Sequence, residues 1–90
     1  AMVVIEGKVV SRRDFPAKDD RGPQVSLSIE DGERFGLFVE DDPENQPLAL
    51  CDVGDYVEVR GDLRKSGNYL NVDNARLVRM GTMEWQTVEA

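Results

Sequence analysis

The stretch Val25-Ser26-Leu27-Ser28-Ile29-Glu30-Asp31-Gly32-Glu33-Arg34-Phe35-Gly36-Leu37-Phe38-Val39 decides the fold. Apolar and polar residues alternate on both sides of Asp31-Gly32, the period of half-buried strands rather than of a helix. Val25, Leu27 and Ile29 fall on one face of the first run, and Phe35, Leu37 and Val39 on one face of the second. Asp-Gly between two such runs signals a hairpin. To put both apolar sets on the same side, paired residue numbers must sum to an even value. That requires an odd-length loop, most simply Glu30-Asp31-Gly32 with Gly32 at positive φ. A two-residue turn at Asp31-Gly32 would bury Arg34 beside Ile29, which is costly.

The same period continues outward. Tyr56-Val57-Glu58-Val59-Arg60-Gly61-Asp62-Leu63 turns Val57, Val59 and Leu63 inward. Ser66-Gly67-Asn68 is the next turn, and Tyr69-Leu70-Asn71-Val72-Asp73 returns with Leu70 and Val72 inward. Either Ser66-Gly67 or Gly67-Asn68 as the central pair preserves the faces and leaves Tyr69 and Arg64 together on the outside. Ala75 to Met80 extends this strand past an irregularity at Asp73-Asn74. The opening strand, Val3 to Arg12, carries Gly7 in its middle. Its apolar parity changes from Val3 and Ile5 to Val9-Val10, as in a strand that bends and pairs with two neighbours.

Asp14 to Pro23 reads as a polar loop. Asp41 to Gly54 is the longest connection, where Pro47 can open a single helical turn. Leu48, with Leu50 or Cys51, would plug the core from it. The candidate core is Val3, Ile5, Val9, Val25, Leu27, Ile29, Phe35, Leu37, Val39, Leu48, Leu50, Val57, Val59, Leu63, Leu70, Val72, Leu77 and Val78. Five strands, a bent first strand and a plug between the third and fourth make an all-β closed barrel without exposed edges. The 90 residues suffice for one domain, over residues 1–80, with 81–90 as a C-terminal extension carrying Trp85. Trp85 reads as packing on the surface or on a partner, or as a ligand-stacking ring. Self-association into a dimer or higher oligomer would bury more surface than so small a core can.

Composition excludes several functions. With no His and one Cys there is no His-based nucleophilic triad, no disulfide and no His- or Cys-ligated zinc site. The single thiol suits a reducing compartment, and a cytoplasmic location is expected. The apolar stretch Met2 to Ile5 meets Glu6 at once, so no signal peptide is read, and no run is long enough to span a membrane. Asp41-Asp42-Pro43-Glu44 lacks the alternating ligands of a Ca²⁺ loop and reads as a solvated acidic loop. No nucleophile–base pair or phosphate-cradling glycine loop is present. No enzymatic activity, cofactor or metal is expected.

The net charge of −7 argues against indiscriminate binding to duplex DNA or anionic membrane. The charge is nevertheless segregated. Residues 1–29 carry five basic and four acidic side chains. Residues 30–58 carry ten acidic side chains against Arg34 alone, and residues 59–80 five basic against two acidic.

The run Gly54-Asp55-Tyr56-Val57-Glu58-Val59-Arg60-Gly61-Asp62-Leu63-Arg64-Lys65, followed by Gly67-Asn68-Tyr69-Leu70, resembles the fourth-strand pattern of bacterial single-stranded DNA-binding proteins and of anticodon-binding OB domains. Val4-Ile5-Glu6-Gly7-Lys8-Val9 resembles their first strand. Three features depart from the family: a short, proline-rich connection at 41–53, no long acidic tail, and only 7% aromatic residues. The resemblance implies a five-stranded OB-fold (Greek-key) barrel. Ligand would cross the outer face of its second and third strands, between the loop after strand one and the hairpin of strands four and five.

On that frame the first loop supplies Arg12, Arg13, Phe15, Lys18 and Arg21, the face supplies Arg34 and Phe38, and the hairpin supplies Arg60, Arg64, Lys65 and Tyr69. Only one of Arg12 and Arg13 can easily reach the groove, since strand neighbours face opposite sides. Arginines would neutralise phosphates and rings would stack on bases. Phe15, Phe38 and Tyr69 also read as ordinary strand or loop aromatics. The implied function is sequence-independent binding of single-stranded nucleic acid, DNA more than RNA. The alternative is an OB module for protein interaction or oligomerisation in a replication or recombination complex.

Overall fold

The odd-numbered apolar residues of the first hairpin meet as their parity requires, with Val25 opposite Val39, Leu27 opposite Leu37 and Ile29 opposite Phe35. In the structure, a computed structural model describing residues 1–81, the chain forms β1 (Met2–Phe15), β2 (Gln24–Asp31), β3 (Glu33–Glu40), a 3-10 turn (Pro47–Leu50), β4 (Tyr56–Ser66) and β5 (Tyr69–Gly81). The strands close into a barrel in the order β1-β2-β3-β5-β4. Neighbours run antiparallel except β3 and β5, which are parallel where Phe35 meets Leu70 and Gly36 meets Asn71. This is the five-stranded all-β barrel of OB type, with a lone 3-10 turn between β3 and β4. Trp85 and the rest of the C-terminal segment lie outside the described residues.

The first turn is tighter than the loop Glu30-Asp31-Gly32. Asp31 pairs with Glu33 and Glu30 with Arg34, so the reversal centres on Gly32 at φ 72°. The parity is unchanged, and each strand gains ladder residues toward the tip. Gly67, at φ 60°, and Asn68 form the second turn, because Ser66 lies opposite Tyr69. Asn74 adopts φ 54° at the irregularity in β5.

β1 serves two neighbours. Met2 to Lys8 pair with β4, and Lys8 to Phe15 pair with β2, with a register shift between Val9 and Ser11. At the bend a Cβ on Gly7 would collide with the Glu30 carbonyl oxygen, so the strand can cross there only as glycine. Asp14 and Phe15, read from sequence as loop, extend this strand.

Fourteen apolar residues make the buried core, and Val3, Phe35 and Leu77 pack against it. Fully burying a branched or aromatic side chain contributes about 1.5–3 kcal/mol. Three residues of the candidate core are exposed instead. Leu50 is 62% exposed because the 3-10 period puts Leu48 and Cys51 on one side and Leu50 on the other. Val78 is skipped by the register shift that pairs Arg79 with Glu58 and Leu77 with Val59, and it is 48% exposed. Leu63 is 36% exposed where the β4–β5 hairpin rises off the barrel. Leu70 is half-buried, while Ala49 and Ala75 join the core.

Arg12 ties the 3-10 turn to the barrel. It lies opposite Leu27, and its Nη1 donates to the carbonyl oxygens of Ala49 at 2.8 Å and Cys51 at 2.7 Å. Asp14 accepts from the same guanidinium at 2.9 Å. This ion pair raises the Arg12 pKa and lowers that of Asp14. Burial is the main cause that pushes the Cys51 thiol up to about 11.

Candidate nucleic-acid interface

Alternation along β2 and β3 leaves Gln24, Ser26, Ser28, Arg34, Gly36 and Phe38 on the outer face. Ser26 pairs with Phe38 on one side and with Arg13 of β1 on the other. The small serine allows aromatic rings from the two flanking strands to meet above β2. Phe15 and Phe38 have ring centroids 5.8 Å apart and planes tilted by 38°. The Arg13 guanidinium lies 5.4 Å from the Phe15 centroid, within cation–π range. Phe38 is 61% exposed, so one ring face is open to solvent.

At the other end of the same face, Arg34 and Gly36 of β3 meet Tyr69 and Asn71 of β5 around a cleft of about 480 Å³ that also includes Glu33 and Asn68. The parallel contact of Gly36 with Asn71 creates this cleft. Tyr69 is 76% exposed and shares the outer side of the hairpin with Arg64.

The basic residues are distributed less simply than the two segments imply. Arg13 faces outward, whereas Arg12 is turned into the barrel end, so only the former reaches the face. Lys18 and Arg21 form a backbone bridge across Asp19-Asp20, with N–H to O distances of 2.9 and 3.2 Å. Arg21 Nη1 braces that loop by donating to the carbonyls of Pro16 and Gly22. Its surroundings are acidic, including Asp20, Glu40, Asp41 and Asp42.

Arg60 points outward from β4 beside Val4 and Met2 of β1, on the side of the barrel away from β2 and β3. Arg64 donates to Asp73 at 2.7 and 3.2 Å, a bidentate pair that lowers the Asp73 pKa and raises that of Arg64. Lys65, opposite Leu70, is exposed on the reverse side of the hairpin. The structure thus gathers Arg13, Phe15, Phe38, Arg34 and Tyr69 along one face, leaves Lys18 in the loop at its β1–β2 end, and engages or turns away Arg12, Arg21, Arg60, Arg64 and Lys65.

Two groups escaped the sequence reading. Asn71 joins the face only through the parallel β3–β5 contact, which no local pattern encodes. Beside Phe38, Asn45, Gln46, Asn74 and Arg76 line a second cleft of about 420 Å³. The Gln46 Oε1 there is buried without a hydrogen-bond partner. The irregularity at Asn74 was visible in the sequence, but its position next to Phe38 was not. Among the described residues no group of three or more Asp, Glu, Cys or His side chains could hold a metal ion. Among them, too, no helix is long and apolar enough to cross a membrane. No family model, curated protein or solved structure matches this chain.

Proposed function

We propose that this protein binds single-stranded nucleic acid, DNA in preference to RNA, across the outer face of β2 and β3, in the manner of the bacterial single-stranded DNA-binding proteins its sequence resembles. The observation that carries the reading is the Phe15–Phe38 pair, with Phe38 exposed and Arg13 against the half-buried Phe15. Bases stack on Phe38 at one end and on Tyr69 at the other, and each stacked base contributes about 1–3 kcal/mol. Arg13 and Arg34 neutralise phosphates along the face, with Lys18 in the loop at its end. A duplex hides its base faces in its own stack and offers these rings nothing to cover. No reacting group is needed, and the protein acts as a binding module rather than an enzyme. The free, buried thiol of Cys51 fits a reducing compartment, and the cytoplasm is the location we propose.

The test is a titration of fluorescein-labelled oligo-dT, oligo-rU and duplex with the protein at low and moderate salt. Anisotropy should rise for the single strands, most for dT, and fall back as salt increases. Curves that stay flat for both single strands would overturn the reading.

A second reading, a protein-interaction or self-association module, draws on Met2 and Val4. They are 65% and 55% exposed side by side on the outer face of β1, away from the proposed interface. Light scattering across a concentration series tests it. A monomer at every concentration excludes self-association.

A further inference from the structure

The arginines of this barrel are used unevenly. Arg12, Arg64 and Arg79 are all held by carboxylates, and Arg79 takes both Glu6 and Glu58. Arg60 and Arg76 are not. They lie directly opposite each other in the β4–β5 ladder. Residues opposite in an antiparallel pair share a face, with Cβ atoms about 4.5–5.5 Å apart. That face is the outer one, because the next pair toward Gly81, Val59 with Leu77, belongs to the core. Both arginines are exposed. Among the described residues Arg76 has no hydrogen-bond or ion-pair partner, and Arg60 reaches only the Met2 sulfur at 3.8 Å.

Like charges directly opposite each other weaken a sheet rather than support it. The carboxylates of the adjoining ladder positions do not relieve them. Glu58 is taken by Arg79, Asp73 by Arg64, and Asp62 accepts from the Asn74 amide at 3.4 Å. The fold thus leaves a doubly cationic spot on a protein of net charge −7. Arg76 also lines the cleft of about 420 Å³ beside Phe38. Glu40 is the carboxylate lining that cleft and stands on its β3 wall, so an anion is favoured on the β5 wall, where Arg76 lies.

Resting on the single-strand reading above, we propose that Arg60 and Arg76 form a second phosphate-binding site, for the backbone of the same strand after it leaves Phe38. The strand passes from the stacking ring along the cleft and onto the outer face of β5 and β4. Each guanidinium presents a fork of N–H donors that matches phosphate oxygens. A phosphate between the two removes the repulsion that the empty pair carries. Only backbone is touched there, so the site adds affinity without sequence preference.

The experiment titrates fluorescein-labelled oligo-dT across a salt series with the wild-type protein, Arg60→Ala/Arg76→Ala and Arg60→Lys/Arg76→Lys. Each phosphate contact to a single strand contributes about 0.7 to the salt slope. The alanine pair should bind more weakly at low salt, with a slope shallower by about 1.4. The lysine pair should keep most of both. Chemical denaturation should find the alanine pair at least as stable as wild type, since a like-charge contact is gone. Wild-type affinity and slope in the alanine pair would overturn the second site alone. So would an alanine pair that unfolds more easily than wild type, which would make these arginines structural. A lysine pair as weak as the alanine pair would overturn the assignment to backbone charge. Flat titrations with the wild-type protein would overturn the single-strand reading itself.

Discussion

At the scale of single residues, two arginines three positions or fewer from Phe15 have opposite duties. Arg13 faces the solvent side of β1 and lies against a ring, whereas Arg12 turns inward and satisfies two carbonyls at the end of the 3-10 turn. Arg12→Leu should therefore lower stability, by about 2 kcal/mol, the usual worth of hydrogen bonds from a charged donor whose acceptors are then left unmet. Chemical denaturation measures the loss, and oligonucleotide affinity should change little. Phe38→Ala should have the reverse profile. Its ring is largely exposed, so the fold loses little, while affinity for oligo-dT falls about tenfold, the stacking contribution of one base. An unaltered dissociation constant for Phe38→Ala would remove the ring from the interface.

At the scale of elements, the β4–β5 hairpin and the 3-10 turn each make a prediction. Arg64 is neutralised by Asp73, so Arg64→Ala should cost little affinity. Asp73→Asn should release the guanidinium and raise affinity for a polyanion, measured in the same anisotropy titration. Beneath the 3-10 turn, burial raises the Cys51 pKa from 9.0 to about 11. Between these values the unfolded chain has lost the thiol proton that the folded chain still holds. Stability is therefore complete below about pH 9 and falls as pH rises toward about 11. Denaturation curves on either side of that window should show a decline that Cys51→Ala removes. The ion-paired Asp14 and Asp73 act in the opposite sense. Their lowered pKa values contribute stability above the usual carboxylate range, and it is lost as pH falls through the folded values.

The elements were also what the sequence encoded best. Odd-numbered apolar positions in 25–39 determined which residues face the core, and Gly7 marked the bend, because period-two alternation and a glycine at a close approach are local signals. Phe38 and Tyr69 were legible as outward rings for the same reason. The Phe15–Phe38 contact was not, since it depends on the register of β1 against β2 and on Phe15 belonging to a strand. Nor was the fate of Arg12 or Arg64, which depends on where the 3-10 turn docks and on which carboxylate lies across the hairpin.

At the scale of the whole molecule, the segregation of charge along the chain overstates the cationic surface. Arg13, Lys18 and Arg34 remain along or beside the proposed face, while the protein carries a net charge of −7. With three phosphates neutralised on that face, the logarithm of the association constant should fall against the logarithm of salt concentration with a slope of about −2. A salt series on Arg60→Ala/Arg76→Ala, which leaves this face alone, checks this, and a slope twice as steep would show that the arginines assigned to internal pairs are released on binding.

The shared strand has a mechanical consequence. Lys8 is paired with Glu30 on one flank and Tyr56 on the other, so it is a rivet common to both halves of the sheet. Neither half can peel away while the other persists, and the molecule has no seam along which to come apart in stages. Amide protons around this rivet should be the slowest to exchange with deuterium, opening only when the entire cylinder is lost.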